Sequence, residues 1–286
     1  MGKKIKLRRI DTVQLPAHVL NKRKRRNQRI LGAIRFILVT ALFVITIVYA
    51  SLSPFFNIKQ VTSEGSAHYD GEFLAAASGI RTGRNGFRLM FGSSTFTGIF
   101  RIGDAERNIV KACSYVREAK VRYVLPSTIH IEAVEREPAA VLDMNGTSLL
   151  IDREGYLLEI EPSAYDTDLP VIKTVQLTSA IPGSKLDMPD EMLSSAFRVY
   201  DTISEVDSTN EDKLLDDVDY VDASDTFNIY VSVESRIKVN LGKAEDLHYK
   251  INAASSIIRK NIKNTEKGTL DFSADTDPVF TPEYGG

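Results

Sequence analysis

Four histidines (His18, His68, His130 and His248), one cysteine (Cys113) and an acidic run between Asp201 and Asp225 offer most of the scope for chemistry in this 286-residue chain. A zinc centre needs three or four His, Cys or carboxylate ligands at close spacing. The histidines are dispersed, none with a ligand partner at helical or hairpin spacing, and they read as solvated surface side chains. The acidic run holds ten carboxylates against Lys213 alone. It contains no Asp-x-[Asp/Asn]-x-[Asp/Asn]-Gly calcium loop and reads as a solvated face. Paired carboxylates such as Asp216-Asp217 do acid–base work only inside a cleft. There is no Gly-x-Ser-x-Gly elbow, phosphate loop or Ser-x-x-Lys box. Cys113 has no partner for an intramolecular disulfide and reads as a small buried hydrophobe. The sequence therefore predicts no catalytic residue, no metal site and no cofactor.

What the sequence does specify is a partition of charge. Twelve basic residues precede Phe36, opposed only by Asp11, and the rest of the chain carries 24 basic against 37 acidic residues. Between them lies FILVTALFVITIVYASLSPFFNI, a charge-free run from Phe36 to Ile58. A run of about 23 residues makes a helix of roughly 34 Å, enough to cross a hydrocarbon core of about 30 Å. A cleaved signal peptide ending near Val48-Tyr49-Ala50 is the competing reading; the long basic tail and long apolar run favour an uncleaved anchor. Tyr49 and Pro54-Phe55-Phe56 then sit at the outer interface. Cytoplasmic flanks retain Lys and Arg, which predicts a single-pass membrane protein with its N-terminus inside and its C-terminus outside. The tail lacks aromatic interleaving and a recognition helix, so its charge is assigned to topology and membrane lipid rather than nucleic acid.

The positioning elements follow from periodicity. Phe56, Ile58 and Val61 suggest a strand. Asp70 caps a helix whose stripe is Phe73, Leu74 and Ala77, with Tyr69 and Leu74 as a staple and Gly79 as its stop. Gly83 to Gly103 reads mostly as loop, with Asn85-Gly86 a turn, and Asp104 caps a helix presenting Ile109, Val110 and Cys113. Two alternating strands follow, Val116 to Leu125 and Thr128 to Glu135, joined at Pro126-Ser127. Pro138 marks a junction. Beyond it a meander is predicted over Ala139–Leu142, Ser148–Asp152, Tyr156–Ile160 and Val171–Val175. Its hairpin turns are Asn145-Gly146 and Glu154-Gly155. A helix opened by Asp187 and Pro189 follows, then strands near 218–221, 227–233 and 236–241. A helix through Leu247, Ile251, Ala254 and Ile258 and a strand Thr269–Ser273 close the domain. Ala274 to Gly286 reads as a mobile tail.

This order resembles the FtsQ/DivIB family of bacterial division proteins, through Ser53-Pro54-Phe55-Phe56-Asn57-Ile58-Lys59-Gln60-Val61, Asn85-Gly86-Phe87 and the stretch Val116 to Thr128. The junction Val134-Glu135-Arg136-Glu137-Pro138-Ala139 and the hairpin Ile151-Asp152-Arg153-Glu154-Gly155-Tyr156 also fit. The basic tail, acidic ectodomain and loose C-terminus look more like the Gram-positive DivIB branch. The longer, more polar Gly92 to Gly98 stretch departs from the family pattern.

The resemblance implies an α+β fold: a basic cytoplasmic tail (1–35), a transmembrane anchor (36–53), a POTRA domain of β-α-α-β-β order (54–135), a strand-rich β domain with two helices (136–275) and a flexible tail (276–286). It implies a non-catalytic scaffold at the division septum that regulates peptidoglycan synthesis. The implied partners are FtsL-type and FtsB/DivIC-type coiled-coil proteins, with a septal penicillin-binding protein and an FtsW-type synthase. Leu270, Asp271, Phe272, Ser273, Val279 and Phe280 are the implied partner-binding residues, because a sheet edge recruits an extended strand through its unpaired backbone groups. An envelope hydrolase or transferase and a POTRA-bearing transport protein are the rival readings.

Overall fold

A computed structural model describes residues 17–95, 97–144, 146–161, 169–173, 177, 179–210, 213–274 and 277–283, with side chains from residue 28 onward. The predicted features at residues 1–16, Asn145, 174–176, 211–212 and 284–286, and the side chain of His18, lie outside these residues. The fold is mixed α/β, with one apolar N-terminal helix and a strand-rich C-terminal region.

Helix α1 (Ala17–Ser51) runs unbroken from the basic segment into the apolar one. Gln28–Ser51, 24 residues that include an 18-residue window of mean hydropathy 2.5, is long and apolar enough to cross a membrane. The helix stops at Ser51, short of the predicted span end at 53. A short 3-10 turn capped by Ser53 then holds Pro54–Phe56, because proline at the first helical position cannot donate and favours a new start.

The next unit is a three-stranded sheet, β1 (Gln60–Glu64), β2 (Val116–Val124) and β3 (Thr128–Glu135), in the order β1-β3-β2. Strand β1 runs parallel to β3, and β2 antiparallel to it. Three helices lie between β1 and β2 in the chain: α2 (Gly71–Ala77), α3 (Gly86–Gly92) and α4 (Gly103–Ala112). Asp70 caps α2 through Phe73 N–H at 2.7 Å. Leu74 is buried, but Phe73 is half exposed and stacks on Tyr69, so the buried stripe is narrower than predicted.

Helix α3 corrects the reading of Gly83 to Gly103 as loop and adds a third helix to the expected pair. Asn85 acts as its N-cap, accepting from Arg88 N–H, rather than as a turn residue. Asp104 is likewise not a cap; it sits inside the first turn of α4 and accepts from Ser94 N–H. Hydrogen bonds from Ser94 and Arg107 hold its carboxyl down at about 2. Ile58, Leu74, Ile109, Cys113, Val121, Ile129 and Ile131 form the core of this unit.

The second unit is a nine-stranded sheet in the order β12-β11-β10-β9-β8-β7-β4-β5-β6. Its strands are β4 (Ala140–Met144), β5 (Thr147–Ile151), β6 (Leu157–Ile160), β7 (Val171–Lys173), β8 (Val218–Asp222), β9 (Ile229–Val233), β10 (Ile237–Gly242), β11 (Gly268–Asp271) and β12 (Val279–Pro282). The expected meander holds for β4, β5 and β6, but β7 returns to lie parallel to β4. Helices α5 (Asp190–Thr209) and α6 (Leu247–Lys260) bury Val199, Ile203, Ile251 and Ile258 in the core shared with Leu142, Ile172, Val231 and Leu270. Pro189 holds the N-cap position of α5, not Asp187.

Arg136 joins the units. Its backbone N–H donates to Tyr115 O at 2.6 Å, and its buried guanidinium meets Asp152 Oδ2 at 2.7 Å and lies 3.5 Å from the centre of the Tyr156 ring. Asp152 also accepts from the backbone N–H groups of Glu154 and Tyr156, which closes the predicted hairpin. From the other unit, Tyr115 covers Val141, Leu150 and Leu158 and donates its hydroxyl to Glu159. Burial and then Glu159 push that phenol up to about 12.

Two outcomes follow. Arg136→Ala leaves Asp152 buried and unpaired, a loss of about 3–5 kcal/mol, read as a shifted urea midpoint of the detergent-solubilised chain. Burial alone would raise the carboxyl of Glu135, but the Ser66 hydroxyl and the His68 backbone and ring hold it down to about 2. A depressed carboxyl stabilises the fold above its unfolded value and loses that contribution as pH falls from about 5 towards about 2. Glu135→Gln should therefore cost about 2 kcal/mol at neutral pH and flatten the acid limb of the stability profile.

Candidate partner-binding edge

Strand pairing decides which backbone groups are free. The outer edge of β6 is occupied at its start, since Leu157 N–H donates to Ser184 O and Gly183 N–H to Leu157 O. The outer edge of β2 is occupied by Phe100–Ile102 through Ile102 N–H to Val121 O and Tyr123 N–H to Phe100 O. β11 is not an edge. It pairs with β10 on one side and β12 on the other, which corrects two expectations together: the strand expected over Thr269–Ser273 is an interior strand ending at Asp271, and part of the predicted mobile tail is the terminal strand.

The phase of the last ladder is fixed by Glu283 N–H donating to Lys267 O at 2.8 Å. Bonded and non-bonded pairs alternate between antiparallel strands. Val279, Thr281 and Glu283 thus turn their backbone groups to β11, while Pro278, Phe280 and Pro282 turn theirs outward. Proline tolerates an edge because its missing N–H faces solvent. Phe280 supplies the one outward N–H of this strand, flanked by the outward carbonyls of Pro278, Phe280 and Pro282.

The six residues singled out from the sequence divide accordingly. Leu270 and Phe272 are buried core. Asp271 and Ser273 are exposed, but Asp271 N–H faces β12 and Ser273 N–H donates to Asp271 Oδ1. Val279 is 59% exposed, and Phe280 is half buried against the core. Gly268 makes the docking of β12 possible: a Cβ there would fall 2.3 Å from Thr281 O and 2.9 Å from the Phe280 ring.

Several carboxylates outside that edge are engaged. In the acidic run, Asp207 accepts from Leu214 and Leu215 N–H, Asp217 pairs with Arg259, Asp219 accepts from Ser232 and Ser235, and Asp201 takes both nitrogens of Arg153. The register of β1 on β3 gathers Glu64, His130 and Glu132, with donor atoms within 4.8 Å of one another. This is a ligand set that sequence spacing missed, because Glu64 and Glu132 are paired only by the sheet. Arg122 already neutralises Glu132 at 3.1 Å, and the other imidazole nitrogen of His130 meets Thr62 Oγ1 at 2.9 Å.

Curated relatives align along nearly all of this architecture. The chain is 24% identical over 273 residues to the cell division protein DivIB of Clostridium botulinum, covering 94% of this chain and 97% of that one. It is 25% identical over 234 residues to the cell division protein FtsQ of Corynebacterium glutamicum, covering 82% and 92%, and 24% identical over 228 residues to DivIB of Clostridium acetobutylicum. This chain is a homologue of the FtsQ/DivIB cell division proteins. No family model matches it. Against the FtsQ/DivIB relatives, the alignment with the Clostridium botulinum protein takes in too much of the chain to leave out either the apolar helix or the strand-rich region.

Amide exchange tests the edge. The Phe280 N–H should exchange fast, while Val279, Thr281 and Glu283 are protected. Gly268→Ala should release the latter three and leave β9 and β10 protected; unaltered protection would show that β12 does not depend on the glycine.

Proposed function

We propose that this homologue of the FtsQ/DivIB proteins is a bitopic, non-catalytic scaffold of the bacterial division machinery. Its N-terminus is cytoplasmic and its C-terminus extracytoplasmic. It acts at the septum, where it links division proteins and regulates septal peptidoglycan synthesis. The similarity to DivIB over 94% of the chain carries this reading. The cation-rich flank of α1 supports the orientation. Residues 54–135 act as the POTRA domain, and residues 136–283 extend the β domain past the boundary expected at 275.

The partners are FtsL-type and FtsB/DivIC-type proteins, with the septal penicillin-binding protein and FtsW-type synthase downstream. The DivIC-type partner adds an extended segment to β12. Backbone pairing suits this edge because it needs no special side chains, and the two prolines restrict the pairing to a short stretch centred on Phe280. That limitation also protects the free protein from edge-to-edge association.

In the full chain, a DivIC-type partner ectodomain should slow exchange at Phe280 N–H by about five- to tenfold while leaving Thr281 unchanged, in the range of a single added backbone bond. Complex formation with Phe280 still exchanging freely would move the contact elsewhere. A fluorescent fusion of the full chain should form a ring at mid-cell; uniform envelope fluorescence would contradict the division role.

A further inference from the structure

The end of the three-stranded unit that receives α1 differs from the rest of the ectodomain in both polarity and charge. Asn85 Nδ2 donates to Ser51 O at 2.9 Å and Ser53 O at 3.2 Å, which ties the start of α3 to the last turn of α1. Ile58 N–H donates to Arg84 O, Lys59 N–H to Ser127 O, and Tyr123 Oη–H to Phe56 O. These bonds bring 52–59, 81–91, 99–101 and 123–127 to one end of the sheet, beside the exit of the apolar helix.

Large apolar side chains are exposed there: Phe55 at 62%, Phe91 at 78%, Ile99 at 79% and Leu125 at 49%. Leu125, the last residue of the strand expected over Val116 to Leu125, lies past the end of β2. Phe91 stacks on Phe87, which meets Phe56 edge-on, so the exposed rings continue an ordered aromatic cluster.

The same segments contain no acidic residue from Ser51 to Ser63, from Gly79 to Gly103 or from Ala119 to Ile131, in an ectodomain that is otherwise strongly acidic. Lys59, Arg81, Arg84 and Arg88 are exposed there and form no ion pair among the described residues. Asp104, next in the chain, is paired with Arg107 and accepts from the Ser94 hydroxyl. Apolar side chains ringed by cations are the composition of a surface that lies in the headgroup region of an anionic bilayer.

We propose that this end of the unit, centred on α3, docks on the outer surface of the membrane that α1 spans: Phe55, Phe91, Ile99 and Leu125 enter the boundary of headgroups and acyl chains, and Lys59, Arg81, Arg84 and Arg88 bind acidic phospholipid headgroups. The docking rests on α1 spanning the bilayer, and it sets the tilt of the whole ectodomain. Asn85 serves as the pivot, since it holds the start of α3 against the end of the span.

The chain has no tryptophan, so one introduced tryptophan reports its own depth. The full chain is reconstituted into phosphatidylcholine vesicles with or without phosphatidylglycerol, with brominated acyl chains as the quencher. Phe91→Trp and Phe55→Trp should emit at short wavelength and be quenched in the anionic vesicles, and Phe227→Trp, in the turn between β8 and β9, should not. Each basic side chain at an anionic surface strengthens attachment about fivefold. Adding Arg84→Gln and Arg88→Gln to Phe91→Trp should therefore lower the docked-to-undocked ratio about 30-fold. Phe43→Trp in α1 separates the two failures. If it is quenched while Phe91→Trp and Phe55→Trp behave like Phe227→Trp, the docking is wrong and the span stands. If Phe43→Trp is not quenched, the span reading falls and the docking with it.

Discussion

The buried contact of Arg136 with Asp152 and Tyr156 is the constraint on which the arrangement of the two units depends. Arg136 follows directly on the last residue of β3, and Asp152 and Tyr156 bracket the hairpin turn between β5 and β6. One guanidinium therefore fixes the exit of the three-stranded unit against the entrance of the nine-stranded sheet. A buried ion pair adds little net stability over an apolar substitute, but removing one partner is costly, so the contact favours one arrangement of the units over alternatives. Tyr115, stacked on His68 at 3.9 Å and bonded to Glu159, closes the same joint from the opposite strand end. The Glu135 carboxylate, one residue before Arg136, ties down the Ser66–His68 loop.

Much of this was legible in the residues. The alternation of Ala119, Val121 and Tyr123, and of Ile129, Ile131 and Ala133, gave both strands of the first hairpin with their buried faces, and Asp70 gave the start of α2. The helical spacing of Leu247, Ile251, Ala254 and Ile258 gave α6. What escaped depends on contacts distant in sequence. Helix α3 is only seven residues long, with glycine at both ends, too short and too Gly-rich to show a period, and it is held in place by the aromatic cluster. Strand β12 lies among prolines that read as breakers, because a proline's tolerance depends on which side of a strand faces solvent, and only the sheet order settles that. The gathering of Glu64, His130 and Glu132 needed the parallel register of β1 on β3, which no spacing encodes. The free edge of the sheet was expected one strand too early for the same reason: Leu270 has the alternation of an edge strand, but β11 is paired on both sides.

The two ends of the two-unit assembly thus present different surfaces. Near α1 the surface is aromatic and cationic; at the far end of the larger sheet it is a short strip of unpaired backbone. The joint at Arg136 connects the units that carry them. Under the proposed membrane docking and scaffold role, that joint lets the seating of one unit set the direction in which β12 faces.

The central claim is that β12 is where another division protein attaches. A photo-crosslinking amino acid placed at Val279 in dividing cells, with Phe227, comparably exposed in the turn between β8 and β9, as the reference position, tests it most directly. The account predicts an adduct with a small single-span coiled-coil division protein from Val279 and none from Phe227. An adduct with that protein from Phe227 alone, or none from either position while the complex still co-purifies, would contradict it.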